Sequence, residues 1–448
     1  MHYHFISIGG SIMHNLAIAM HLKGNKVTGS DDEIFEPAKS NLKKYGILPT
    51  QLGWHPENIT KEIDTVILGM HAKADNPELQ KALELGLNIV SFPEFVYENS
   101  KDKKRVVIGG SHGKTTITSM VLHVLKCLNI NADFLVGAKI PDYDIMVKIT
   151  DDAKILVVEG DEYLTSTLDK RPKFHLYHPH IALLTGIAWD HFNVFPTFDF
   201  YVEQFKIFAH TIEPDGSFIY FEQDENLVKI AAELPASIKT IAYDTPDYTV
   251  ENNTFILHFE GEDFPLKIDG RHNMQNVLGA MKICSELGIG NREFLKAISS
   301  FTGAAKRLEK VYQNENLVIY RDFAHAPSKL KATVNAIREK YPDKKIIAVF
   351  ELHTYSSLNK YFLSQYKDTM NDADKKMVFF DPHALSLKRL PMLEIDDVKK
   401  SFGCDDITVY NDTKTLIDDI NTSIDTDCVL LLMSSGNFGG MTMQDFLK

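Results

Sequence analysis

Gly109-Gly110-Ser111-His112-Gly113-Lys114-Thr115-Thr116 has the makeup of a phosphate-gripping loop. Glycines let backbone N–H groups turn toward an anion, a lysine supplies charge, a hydroxyl beside it can hold Mg2+, and a following helix presents its positive end. The apolar run Val106-Val107-Ile108 leads into the loop, and Ile117, Met120, Val121, Val124 and Leu125 recur at helical spacing after it. Strand, loop and helix are therefore all legible. Only Ser111 and His112 separate Gly110 from Gly113, a tighter loop than the usual GxxxxGK[ST]. The expectation is a nucleoside triphosphate site at Gly110, Ser111, His112, Gly113, Lys114, Thr115 and Thr116.

Acids and a histidine follow in Val158-Glu159-Gly160-Asp161-Glu162 and Trp189-Asp190-His191. Singly, such residues are more often solvated. Glu159, however, directly follows one four-residue apolar run and His191 lies a short loop beyond another, where parallel α/β sheets gather ligands. With Thr115 they form the expected metal set. Nearer the N-terminus, His4-Phe5-Ile6-Ser7-Ile8 enters Gly9-Gly10-Ser11, a helix follows, and Lys26-Val27-Thr28 leads to Asp31. This is a βαβ unit with a glycine turn and an acid about 20 residues on, as in dinucleotide-binding folds, although GGSIMHN is not GxGxxG. A plain strand-to-helix turn explains Gly9-Gly10 equally well. Ala74-Asp75-Asn76-Pro77 reads as the capped start of a helix.

The elements that position these residues alternate strand and helix along 448 residues, which calls for two or three domains and largely parallel sheets. The charged connector 98–105 separates the two strand-loop-helix motifs. Expected domains are 1–102, 103–303 and 304–448, the last with strands at 317–320, 346–350 and 429–433. A net charge of -13 disfavours a nucleic-acid binder that works by neutralising phosphates. Four cysteines far apart suggest neither zinc nor a disulfide framework. With no signal pattern and no apolar run near 18 residues, a cytoplasmic enzyme without membrane insertion is expected.

Further motifs complete the series: Gly270-Arg271-His272-Asn273-Met274-Gln275-Asn276, then Ala305-Lys306-Arg307-Leu308-Glu309, then Arg321-Asp322-Phe323-Ala324-His325-Ala326-Pro327. Asn273 alone reads as a helix cap and Arg307 as a surface charge. In this order, GGSIM, ADNPE, GSHGKTT, EGDE, DH, HNMQN, KRLE and DFAHAP resemble the Mur ligase family of ATP-dependent amide-forming enzymes over essentially the whole chain. The resemblance implies a three-domain α/β architecture: a Rossmann-like N-terminal domain for a UDP-sugar, a central phosphate-loop ATPase domain and an α/β C-terminal ligase domain. The sequence departs from the family at Gly160, Gly186, Ala188 and Arg321.

By the same resemblance, Gly9, Gly10, Ser11, Asp31 and Asn76 would bind the UDP-sugar. Lys114 and Thr115 would meet ATP and Mg2+, with Glu159 and His191 completing the metal sites and Lys114, Glu159 and His191 forming the catalytic set. Asn273, Asn276, Arg307, Asp322 and His325 would complete the ATP site. The segment 161–174 and the late 433–440 stretch resemble the branch joining UDP-N-acetylmuramate to the murein tripeptide L-alanyl-γ-D-glutamyl-meso-diaminopimelate in peptidoglycan recycling. The alanine-adding branch shares most other motifs. Tyr163, Lys170 and Arg171 are the expected acceptor contacts. Lys206 would be a metal ligand only if carbamylated, an exposed helical lysine being the ordinary alternative. A nucleotide-binding regulator without turnover and a Rossmann dehydrogenase are the rival classes, and a monomer or weak homo-oligomer is expected.

Overall fold

The computed structural model describes all residues except 141–142, 190–193, 304–307, 404–405 and 447–448. It is an α/β protein whose compact units are 1–189 with 194–244 and 276–298, and 245–275 with 299–448.

The first unit opens with β1 (His2–Ile6), α1 (Ser11–Leu22), β2 (Lys26–Ser30), α2 (Ala38–Lys44), β3 (Thr65–Leu68), α3 (Pro77–Glu84), β4 (Ile89–Ser91) and α4 (Phe92–Glu98). The four strands form a parallel sheet in the order β2-β1-β3-β4. The chain leaves β1 to one side and returns on the other, so strand order reverses between β1 and β3. Ligands of open α/β sheets bind at such a point, beyond the strand C-termini. Local chemistry sets the helix starts. Asn76 accepts the Glu78 and Leu79 N–H groups with Pro77 in the first turn, as expected, and Ser91 and Glu94 form a reciprocal capping box.

The central sheet contains β5 (Lys104–Gly109), β6 (Asp133–Leu135), β7 (Val147–Lys148), β8 (Ile155–Glu159), β9 (Ile181–Leu184), β10 (Ser217–Phe221) and β11 (Lys239–Tyr243). Its order is β11-β10-β9-β5-β8-β6-β7, parallel except for β6 with β7. The helices α5 (Lys114–Cys127), α6 (Phe198–Ala209) and α7 (Glu225–Glu233) belong to it. Pairing of Ile108 with Glu159 and of Gly109 with Leu184 brings three strand ends level beneath the loop that opens α5. Phe92 and Phe95 of α4 share one apolar core with Phe174, Phe205 and Phe208, which joins the first sheet to the central one. Burying each such ring contributes about 2 kcal/mol.

After α8 (Arg271–Glu286) and α9 (Asn291–Ile298), the second unit carries β15 (Glu309–Gln313), β16 (Leu317–Asp322), α10 (Pro327–Lys340), β17 (Lys345–Leu352), β18 (Lys375–Phe380), β19 (Ile407–Tyr410) and β20 (Cys428–Met433). The order is β15-β16-β20-β17-β18-β19, with only β15 antiparallel. The antiparallel ribbon β12 (Tyr248–Glu251), β13 (Thr254–Phe259) and β14 (Glu262–Leu266) groups with this unit, and its short strands carry too few residues for a clear period-2 pattern. Among the described residues, no helix is long and apolar enough to cross a membrane.

Candidate active site

The phosphate loop depends on two glycines. Gly110 has φ +115° and Gly113 φ +68°, both left-handed. A Cβ on Gly110 would meet Thr185 Oγ1 at 2.2 Å, and one on Gly113 would meet Asn276 Oδ1 at 2.4 Å. Gly160 has no left-handed φ, but its Cβ would lie 2.9 Å from Val107 Cγ1, so a side chain where β8 passes β5 requires that methyl to shift. The Ser111 hydroxyl and N–H are held by the chain itself. Its Oγ donates to the Ala188 carbonyl and accepts the Ala188 N–H, both at 2.8 Å, while its own N–H bonds the Gly186 carbonyl. Thr185 Oγ1 donates to the His112 carbonyl at 2.6 Å. Ser111 and Thr185 thus hold the loop from behind.

Lys114 opens α5 and bonds Glu162 Oε2 at 2.5 Å. Burial works against its charge, but Glu162, Asp161 and Glu159 outweigh that and hold the ammonium above the ordinary lysine range. Glu162 is only 1% exposed, and its other oxygen lies 3.4 Å from the Tyr201 hydroxyl, which in turn reaches Ser111 Oγ at 3.2 Å. Beside this pair, Thr115 Oγ1 donates to Glu159 Oε1 at 2.8 Å, and Gly137 N–H bonds Glu159 Oε2 at 2.9 Å. A hydroxyl and a carboxylate are hard oxygen donors, a fit for Mg2+. Thr116, in the first turn of α5, is buried.

Asn276 joins this site through its contact with the Gly113 position. Asn273 falls in the second unit and lies two residues inside α8 rather than at its cap, with its amide donating to the Asp269 carbonyl at 2.8 Å. Asp322 and His325 also belong to the second unit. Asp322 accepts the Leu308 and Ala324 N–H groups at 2.5 and 2.7 Å and the Thr333 hydroxyl, so it builds the turn after β16. His325 Nδ1 lies 2.9 Å from the Phe323 carbonyl. His191 and Arg307 lie outside the described residues.

In the first sheet, Gly9 N–H donates to Asp31 Oδ2 at 2.7 Å, so the glycine turn and the acid meet. Burial, opposed by that bond, raises the Asp31 carboxyl to about 6. Gly10 is the N-cap of α1 and Ser11, exposed, its first residue. The Asn76 carbonyl oxygen is spent on its helix cap, which makes that side chain a structural element of the neighbouring loop.

Three family models match in chain order: the Mur ligase family catalytic domain over residues 2–104, the Mur ligase middle domain over 108–284 and the Mur ligase glutamate ligase domain over 306–436. The UDP-N-acetylmuramate–L-alanine ligase of Ligilactobacillus salivarius is 32% identical, with 83% of this chain and 82% of that protein covered. This chain belongs to the Mur ligase family. A murein peptide ligase from Psychrobacter arcticus has the same fold at 24% identity and TM-score 0.66, covering 100% of this chain and 98% of that one. So does the UDP-N-acetylmuramate-alanine ligase MurC from Thermotoga maritima, at 21% identity, TM-score 0.70 and coverage of 98% and 96%. Like other Mur ligases, it is an ATP-dependent amide-forming enzyme.

In this Mur ligase the expected acceptor contacts are largely engaged. Arg171 makes a two-pronged bond to Asp169 and lies 3.8 Å from Glu94 of α4. Tyr163 packs under the Lys173 ammonium, which pairs with Asp161 at 2.6 Å. Lys170 is exposed.

Lys206 is placed as the ordinary alternative has it, a helical lysine at the solvent side. It sits on the outer face of α6, paired with Glu233 of α7 at 2.6 Å, and this hydrogen bond raises its pKa. Carbamylation needs a neutral amine, and the buried residues Tyr201, Phe205 and Phe208 mark the opposite face as the one turned inward. Lys206→Ala should keep turnover within about twofold of wild type, as surface substitutions do, with no gain from added acetate. Initial rates with and without acetate check this.

Glu162, Tyr201 and Thr185 were not among the expected site residues. Glu162 carried a signal, an acid three places beyond Glu159 after a strand. Tyr201 and Thr185 carried none, because a tyrosine in an amphipathic helix and a threonine after a strand are ordinary core edges.

Proposed function

We propose that this Mur ligase joins UDP-N-acetylmuramate to the tripeptide L-alanyl-γ-D-glutamyl-meso-diaminopimelate, using ATP and Mg2+ in the cytoplasm, as a step of peptidoglycan recycling. The muramoyl carboxylate oxygen attacks the ATP γ-phosphorus and ADP leaves. The resulting acyl phosphate is attacked by the alanyl amine, which loses a proton as phosphate departs. Both partners of the first step are anions. At ~4 Å, unit like charges repel by roughly 4 kcal/mol at an effective dielectric near 20, so Lys114 must neutralise charge as the phosphoryl group moves. Mg2+ held by Thr115 and Glu159 would supply further neutralisation there. The loop N–H groups orient the phosphates, and enclosure of both substrates aligns them.

The observation that supports the tripeptide is the segment 161–174. Its likeness to the tripeptide-adding branch falls on an ordered hairpin: Thr165 bonds the Arg171 carbonyl through both N–H and hydroxyl, and Leu164 bridges Pro172. A second stretch alike in the same way, 433–440, is also ordered, with the buried Glu351 carboxylate accepting the Ser434 hydroxyl and the Phe438 N–H.

The alanine-adding reading is favoured by the name of the Ligilactobacillus relative. The purified enzyme supplied with UDP-N-acetylmuramate and ATP, and with tripeptide or L-alanine in parallel, separates the two. The tripeptide should give kcat/KM at least about a hundredfold higher, because a free amino acid forgoes the binding energy of the remaining chain. Equal or better turnover with alanine would reverse the assignment, and no ADP release with either acceptor would favour a regulator.

A further inference from the structure

Ser7 stands at the C-terminal end of β1, beside the point where strand order reverses in the first sheet. Its φ is +68°, a conformation that suits glycine and disfavours serine. Its backbone is fully used. The Ser7 and Ile8 N–H groups both donate to the Ser30 carbonyl, at 2.9 and 3.0 Å, and the Ser7 carbonyl accepts the Gly10 N–H. Its hydroxyl is different: Ser7 is 2% exposed, and its Oγ bonds no group of the described residues. A buried hydroxyl without a partner is costly, and each such group asks for a reason. Gly69, just past β3, leaves room for it, since a Cβ there would lie 2.8 Å from Ser7 Cβ. Among the described residues, no hydrogen bond rewards serine over glycine at this position.

Two neighbours indicate what does. The N-terminus of the twelve-residue α1 follows at Gly10, with no side chain capping it. Free N–H groups at a helix start favour an anion, and the reversal point of an open α/β sheet is where nucleotides lie. We infer that the Ser7 hydroxyl donates a hydrogen bond to a nucleoside diphosphate in this crevice, so that ligand binding satisfies a buried polar group that the described residues leave unmatched. The inference rests on the UDP-sugar reading above and assigns a residue to it. Binding then repays a defect built into the free protein, which makes Ser7 a determinant of donor affinity rather than of stability.

Two substitutions separate the hydroxyl from the backbone conformation. Ser7→Gly removes the hydroxyl and relaxes the left-handed residue, whereas Ser7→Ala removes the hydroxyl and keeps the conformation. Calorimetric titration with UDP-N-acetylmuramate should show Kd about tenfold weaker for both, the loss of one hydrogen bond to a charged group, with ATP affinity unchanged. Ser7→Gly should melt about 2 °C higher, and Ser7→Ala should gain less, since it removes the unsatisfied hydroxyl but keeps the left-handed strain. Donor binding within twofold of wild type for either variant overturns the inference, as does loss confined to Ser7→Gly, which would indict backbone flexibility. Failure of the wild type itself to bind the donor would instead remove the UDP-sugar reading beneath it.

Discussion

Lys114→Met should cut turnover by about a thousandfold and should also lower the melting temperature. A lysine on a bare surface loop could be removed without structural consequence, and that is what the glycine-rich sequence suggests. Lys114 is instead the counter-ion of Glu162, a carboxylate sealed from solvent. Its removal takes the ammonium partner from a buried carboxylate, at a cost of about 3 kcal/mol. Lys114→Met combined with Glu162→Gln should therefore recover most of the lost thermal stability while remaining inactive. Rates of ADP release and thermal melts of the single and double variants check both halves. A single variant as stable as wild type would mean that the remaining partners of Glu162, the Tyr201 hydroxyl among them, suffice to hold its charge, and an active one would remove Lys114 from the phosphate site.

Gly110→Ala should be as damaging by a different route. At φ +115° a side chain is strained before it meets anything, and the new Cβ would lie 2.2 Å from the Thr185 hydroxyl and 2.8 Å from its backbone nitrogen. The hydroxyl could rotate, but the backbone of β9's C-terminal end cannot move without pulling on β5. Destabilisation of about 2–4 kcal/mol is expected, together with loss of nucleotide binding, because the loop is displaced from its Thr185 and Ser111 anchors. Urea unfolding and ADP titration measure the two. A variant that binds ADP normally would show that the loop tolerates a second conformation.

How much of this was legible in the sequence depended on the range of the interaction involved. The phosphate loop, the Asn76 cap and the Pro327 helix start are local events within a few residues, and each emerged where its residues indicated. The meeting of Gly9 with Asp31 followed from the βαβ spacing. The Lys114 partner was not legible, since Glu162 lies 48 residues away and only the alignment of β5 with β8 brings it near. The same holds for the Ser111 hydroxyl, whose partner Ala188 lies 77 residues on. The side of α6 that carries Lys206 was not legible from its spacing to His191, which is one-dimensional, whereas the face of a helix is decided by which neighbours are apolar. Arg321, a departure from the family, pairs with Glu309 on the adjacent antiparallel strand and so has a local structural use.

The pairing of Ile108 with Glu159 makes the site sensitive to changes of length as well as of residue type. Successive side chains of a strand point to opposite faces, so one residue inserted or deleted within β8 would turn Glu159 away from Thr115 and present Val158 or Gly160 in its place. The stretches 104–115 and 155–162 are thus places where the chain has no freedom to gain or lose a residue. Elsewhere it has room: the hairpin tip at Asn252 and Asn253 is exposed and pairs only strands β12 and β13. Among such proteins, natural variation in length should gather at tips of that kind, and a tag or reporter domain inserted there would leave the register of the nucleotide-binding strands untouched.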